Sequence, residues 1–172
     1  MIEIRQLTAD IFSEDMLDNY NRKHEVKKVW RGKNCEYVLT EQPYTEDWDL
    51  EKKRSVARMI GSPYYITYIA QENSRVVGFI GLKRTLVGKR MILDMMHVSA
   101  DLRGRGLGRK LFKMGIQEAR QAGAEELYIS ACSSEETIAF YRAMGAELTD
   151  RPIPEIAEDE PFDLQMTYVI RY

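Results

Sequence analysis

Met91-Ile92-Leu93-Asp94-Met95-Met96-His97-Val98, with Arg103-Gly104-Arg105-Gly106-Leu107-Gly108 close behind it, decides how this chain folds. The first run is apolar apart from one carboxylate, and its length suits a strand buried on both faces. The second run opens a helical pattern in which Leu107, Leu111, Met114 or Gly115, and Ala119 or Ala122 fall on one face. Arg120 in the last turn and Gly123 at the C′ position mark the end of that helix. The glycines therefore stand between a central strand and a helix start. Glycine at such a place lets backbone N–H groups approach a ligand with no Cβ between them. The helix start adds unpaired donors and partial positive charge, and Arg103, Arg105 and Arg109 add full charges. The combination is suited to holding a phosphate.

The spacing excludes two common phosphate binders. No Lys-Ser or Lys-Thr follows the glycines, as a Walker A loop requires. Counted from Gly104 and Gly106, the last glycine of a dinucleotide fingerprint is replaced by Arg109. What remains is Arg103-x-x-Gly106-x-Gly108. Here the chain resembles the GNAT family of N-acetyltransferases, whose signature [QR]-x-x-G-x-[GA] binds the pyrophosphate of acetyl-CoA. The run from Ser134 to Gly145, ending Ile-Ala-Phe-Tyr-Arg-Ala-Met-Gly, is similar to a second family helix that often reads N-x-x-A-x-x-F-Y-x-x-x-G. Phe140, Tyr141 and Gly145 keep that pattern; Ser134 and Thr137 depart from it. The core of the resemblance runs from Tyr64 to Glu147.

The resemblance implies an α/β fold with a mixed, largely antiparallel central sheet flanked by helices. It implies acetyl-CoA as co-substrate, held at Arg103, Gly104, Arg105, Gly106, Leu107, Gly108 and Arg109. The backbone N–H groups of Met96, His97 and Val98 would meet the thioester carbonyl and pantetheine. Ser134 stands where the family often has an Asn on the pantetheine arm, and its hydroxyl reaches less far than an amide. Tyr141 matches a Tyr that protonates the coenzyme A thiolate, although a Tyr at helical spacing also serves as packing.

Asp94 is the only acidic residue in the apolar strand, where a carboxylate is costly unless paired or functional. By resemblance it occupies the place of a Glu that serves as general base, often through water. A shorter Asp favours the water relay. A structural carboxylate bonded to backbone or to an Arg is the competing reading. Strand alternation turns His97 away from Asp94, as a packed or surface imidazole.

At 172 residues the chain suits one domain, 1–172. Hydrophobic residues at 44% and charged residues at 30% fit a globular protein rather than a disordered or fibrous one. No apolar run reaches the ~20 residues of a membrane span. The N-terminus lacks the layout of a signal peptide, so the expected location is cytoplasmic. Cys35 and Cys132 follow no metal-ligand spacing, and no metal is expected. A net charge of −2 argues against nonspecific nucleic-acid binding. A homodimer is left open.

In order, the pattern predicts a strand at Ile2–Arg5 and a helix capped by Thr8 or Asp10 that carries Ile11, Phe12, Met16 and Tyr20. Residues 21–42 have no assignable period. A helix over Asp47–Ile60 precedes three antiparallel strands, Tyr64–Gln71, Val76–Thr85 and Lys89–Val98. After the glycine turn and its helix come a strand at Glu126–Ala131 and a helix with a Ser133-x-x-Glu136 capping box. A loop bearing Glu155, Glu158, Asp159, Glu160 and Asp163 leads to a last strand from Leu164 to Ile170. Its plain reading is a solvated loop. With Trp30, Tyr37, Tyr44 and Trp48 it would also suit a cationic amine.

These readings converge on an acetyl-CoA-dependent N-acetyltransferase acting on a primary amine within a ternary complex. A small cationic amine is the first expectation, and a protein or peptide amine the second. A coenzyme A-binding sensor without turnover is the alternative of another class.

Overall fold

The computed structural model describes residues 1–172. In chain order the elements are β1 (Glu3–Gln6), β2 (His24–Lys33), β3 (Glu36–Glu46), α1 (Leu50–Ile60), β4 (Tyr65–Glu72), β5 (Arg75–Lys83), β6 (Arg90–Val98), α2 (Leu107–Gln121), β7 (Glu126–Ala131), α3 (Glu135–Ala143), β8 (Glu147–Leu148), α4 (Pro154–Asp159) and β9 (Leu164–Val169). Seven strands form one sheet in the order β1-β4-β5-β6-β7-β9-β8, while β2 and β3 make a separate hairpin. Every neighbouring pair in the large sheet is antiparallel except β6 with β7. That parallel pair needs a crossover, and α2 supplies it. The architecture is therefore mixed α/β on a largely antiparallel sheet, as expected.

Each face of the sheet has its own core. Leu107, Leu111, Phe112 and Ala119 of α2 pack on Val77, Ile80, Leu82, Met91, Leu93, Leu127 and Ile129. Fully burying a residue such as Leu111 or Phe112 stabilises by about 1.5–3 kcal/mol. Gly115 lets the helix approach, since a Cβ there would stand 2.8 Å from Ile80 Cδ1. On the other face α1 buries Val56, Ala57 and Ile60 against Ile69, Val76 and Phe79. Asp49 caps this helix by accepting from the Lys52 N–H.

Four expectations change. Residues Thr8–Tyr20 form successive turns rather than a helix, with bonds such as Phe12 N–H to Thr8 O and Tyr20 N–H to Leu17 O. Thr8 bonds Asp10 and Ser13 bonds Asp15 locally, which competes with a helical ladder. Residues 21–42, which show no assignable period in the sequence, contain β2 and most of β3. The cap of α3 is Ser134, accepting from Thr137 N–H at 3.3 Å, not a Ser133–Glu136 box. The acidic stretch holds a short helix, α4, because Pro154 is well placed at its first turn.

Candidate active site

The glycine turn has the form its sequence suggests. Gly104 and Gly106 adopt φ of 79° and 80°, which favour glycine, and a Cβ on either would meet nothing within 4 Å. The open space lies on the side where a ligand can approach. Gly106 is the N-cap of α2 and offers no side chain to the first turn, so the leading N–H groups of the helix stay free. Gly108 serves packing instead, since its Cβ would sit 3.2 Å from the Phe140 ring of α3. Leu107 is buried, whereas Arg105 and Arg109 are exposed and make no hydrogen bond or ion pair with the protein.

Arg103 departs from the expectation. Its guanidinium donates to Val98 O at 3.1 Å, Lys23 O at 2.8 Å and Arg22 O at 3.4 Å. It ties the end of β6 to the segment leading into β2 through backbone carbonyls.

Beside this turn the sheet opens. The β6–β7 pairing ends at Leu93 with Ile129, although β6 runs on to Val98 and β7 to Ala131. Ser99 N–H donates to Val77 O at 2.8 Å on the β5 side. Antiparallel alternation then aims the N–H groups of Met96 and Val98 into the opening and that of His97 at β5. Met96 and Val98 are thus fit to receive a carbonyl and an amide chain; the His97 backbone is not. The His97 ring packs against Trp48 and Phe79, with centroids 5.0 and 5.5 Å away. Burial, with Arg22 and Arg103 nearby, pushes its pKa down to about 3, so it is a neutral packed imidazole.

Asp94 sits at the lip. The register between β5 and β6 shifts from Gly81–Met95 to Leu82–Leu93, leaving Asp94 as the extra residue of a bulge. Contrary to the expectation of a carboxylate inside a buried strand, Asp94 is exposed. The Tyr65 hydroxyl donates to its Oδ2 at 2.6 Å. Burial and this carboxylate together push the Tyr65 pKa up.

Tyr141 stands on the α3 side, 6% exposed, its ring packed against Phe112 and Phe140. Its hydroxyl has no hydrogen-bond partner in the protein. Burial, then the nearby Cys132 and Asp163, push its pKa up, so it remains a proton donor at neutral pH. Ser134 is fully buried and its hydroxyl is engaged with Thr137, so it acts as a cap rather than reaching toward pantetheine.

Sequence reasoning missed three parts of this region: Tyr65; Ser130 and Gln165, which tie Asp163 of the acidic stretch to the sheet; and the β2–β3 hairpin, which docks through Trp30 N–H to Ser133 O at 2.8 Å. A bulge between Val26 and Lys28 breaks the period of β2. The residual signal was the Asn34-Cys35 turn, where both residues take positive φ. A separate cavity of about 400 Å³ lies at the opposite end of β6 and β7. Lys89 pairs there with Glu125 and Arg151 with Glu126, while Arg90 donates to Arg151 O, and the cavity holds none of the site's groups.

Comparison with known proteins agrees with this geometry. A curated relative, the uncharacterized N-acetyltransferase YjgM of Escherichia coli K12, is 28% identical over 130 residues, covering 73% of this chain and 76% of its own. A nourseothricin acetyltransferase structure superposes with a TM-score of 0.75 at 17% identity, covering 99% of both chains. A putative streptothricin acetyltransferase from Bacillus anthracis Ames, in complex with acetyl coenzyme A, gives 0.72 at 18% identity, covering 100% of this chain and 99% of its own. The free donors at the glycine turn and along β6 suit acetyl-CoA, which brings an acetyl group as a thioester. The model of the acetyltransferase (GNAT) family matches residues 27–146, well over half the chain, and the protein therefore belongs to that family as an acetyl-CoA-dependent acetyltransferase.

Proposed function

We propose that this acetyltransferase modifies a primary amine of a small cationic molecule by direct transfer within a ternary complex. The observation that carries the reading is Asp94, unpaired at a bulge beside the sheet opening and oriented by Tyr65. Asp94, directly or through one water, takes the proton that the attacking amine must lose, since such amines are protonated near neutrality with pKa ~10. Met96 and Val98 N–H groups bond the carbonyl oxygen as it gains charge, and such a donor is worth about 10²–10³ in rate. As the carbon–sulfur bond breaks, the Tyr141 hydroxyl gives its proton to sulfur. Acid and base steps of this kind each contribute about 10²–10⁴. The turn at Gly104–Gly108 and the helix start behind it anchor the far end of the co-substrate, with Arg105 and Arg109 adding charge.

Names of proteins with the same fold, the nourseothricin and streptothricin acetyltransferases, agree with a small-molecule acceptor. The test is thiol release from acetyl-CoA over a panel of small amines and peptides, with the product identified by mass spectrometry. Turnover with small amines and none with peptides is expected. Turnover only with peptides gives the acceptor as a protein. No turnover over the hydrolytic background, despite bound acetyl-CoA, leaves a sensor.

A further inference from the structure

The opening between β6 and β7 has a carboxylate on each side. Asp94 follows directly on Leu93, and Ser130 on Ile129, in the last register pair of the two parallel strands. Leu127, Ile129 and Ala131 of β7 and Leu164 and Met166 of β9 belong to the core under α2. Tyr128, Ser130, Asp163 and Gln165 therefore face the other way, toward the α1 side. Asp94 faces that side too. Its partner Tyr65 packs over Gly81, and Ile60 of α1 approaches the same spot, both 3.4 Å from a Cβ placed there.

Asp163 is held rather than solvated. Ser130 Oγ donates to its Oδ2 at 3.0 Å, Gln165 Nε2 donates to that same Ser130 oxygen at 2.9 Å, and the Tyr128 hydroxyl bonds Gln165. Tyr128 is fixed in turn by Ile153 N–H at 2.9 Å. Oδ1 has no partner in the protein, and no Lys or Arg pairs with the carboxylate. Glu155, Glu158, Asp159 and Glu160, by contrast, are exposed on or just after α4. Among the acidic residues of this segment only Asp163 is built into the sheet.

We propose that Asp163 binds a second positive charge of the acceptor, so that the preferred substrate is a diamine or polyamine-like molecule spanning the opening. This inference rests on the amine acetyltransferase reading above. One nitrogen lies at Asp94 and is acetylated; the other, still cationic, pairs with the free oxygen of Asp163. Glu46 of β3 and Glu160 add negative charge around it, while Cys132 and Tyr141 are neutral neighbours, the Tyr44 hydroxyl lies against Cys132 and Arg31 stacks on Phe162. Burial first, then Glu160 and Glu46, push the Asp163 pKa up to about 6 against the bond from Ser130. The site is thus charged at neutral pH and discharges in mild acid, where aliphatic amines remain fully protonated.

The experiment compares kcat/KM for linear diamines of increasing chain length with monoamines of the same lengths, in the wild type, Asp163→Asn and Asp163→Glu. The wild type should prefer a diamine of suitable length, and the preference should weaken as pH falls through about 6. Asp163→Asn should cut the diamine-to-monoamine ratio by about 10–100-fold, the size of one charge-assisted hydrogen bond. Asp163→Glu should restore part of it. A ratio unaltered by Asp163→Asn overturns the inference, and so does equal loss on both substrate types, which would place Asp163 in the chemistry. Turnover of no amine at all overturns the functional reading itself, a result distinct from turnover without preference.

Discussion

The Tyr65 hydroxyl reaches across β5 to the Asp94 carboxylate of β6, at 2.6 Å. It can do so because β5 carries Gly81 at the crossing point, with the Tyr65 ring 3.4 Å from where a Cβ would stand. One bond thus fixes the direction of a carboxylate that the bulge alone would leave free to rotate. Tyr65→Phe should lower kcat/KM by about 10-fold, as expected for one hydrogen bond to a charged group. Acetyl-CoA affinity should be retained. Steady-state kinetics paired with calorimetry would show it; an unchanged kcat/KM would mean that the bond does not orient Asp94.

Gly106 and Arg103 should separate ligand binding from folding. Gly106→Glu places a carboxylate in the open space before the α2 N-terminus and should abolish measurable acetyl-CoA binding by calorimetry. Arg103→Ala should act on stability, because its three bonds go to backbone carbonyls. With solvent exposure allowed for, a loss of about 1 kcal/mol is expected. For a chain of this size that lowers Tm by about 2–4 °C. A folded Gly106→Glu protein of normal affinity would displace the proposed ligand site.

Tyr141→Phe keeps the ring contacts with Phe112 and Phe140 and removes only the proton donor. Its kcat should fall by about 10²-fold or more, with acetyl-CoA affinity little altered. Equal single-turnover rates in wild type and variant would assign Tyr141 to packing.

His97 should make the fold acid-sensitive. Its folded pKa, about 3, lies below the ordinary value of 6.5. The unfolded chain therefore binds the extra proton first, and stability falls as pH drops from about 6.5 toward 3. The slope for one such group is at most about 1.4 kcal/mol per pH unit. Asp163 works in the opposite sense. Its folded pKa of about 6 lies above 3.8, so its contribution is present in acid and is lost as pH rises through about 6. His97→Gln should flatten the decline in Tm between pH 6.5 and 4. A variant as acid-labile as the wild type would place the sensitivity elsewhere.

The sequence was most legible where backbone geometry dictates residue type. Gly104 and Gly106 need positive φ, Gly145 ends α3, and the apolar run of β6 has to lie inside a sheet. It was least legible where tertiary contacts override local pattern. Ile11, Phe12, Met16 and Tyr20 have helical spacing, yet local Thr8–Asp10 and Ser13–Asp15 bonds favour turns. Arg103 belongs to the phosphate signature, but only the fold shows Lys23 and Arg22 carbonyls within its reach. Tyr65, Ser130 and Gln165 carry no spacing signal, since a sheet brings them to the opening from three different strands. The Asp94 position was visible; its exposure was not, because a bulge is a matter of register between strands.

Asp94→Asn gives the most direct test of the central claim, that the carboxylate at the β6 bulge accepts the proton of the acceptor amine. The change keeps the size and an oxygen for Tyr65, so Tm should stay close to that of the wild type. kcat/KM for the amine should fall by about 10²-fold or more, most of all at low pH, and the rising limb of the pH–rate profile should shift or vanish. Tm and the pH–rate profile are to be measured on one preparation. A lowered Tm with an intact profile and full activity per folded molecule would contradict the claim and leave the amine to enter already deprotonated.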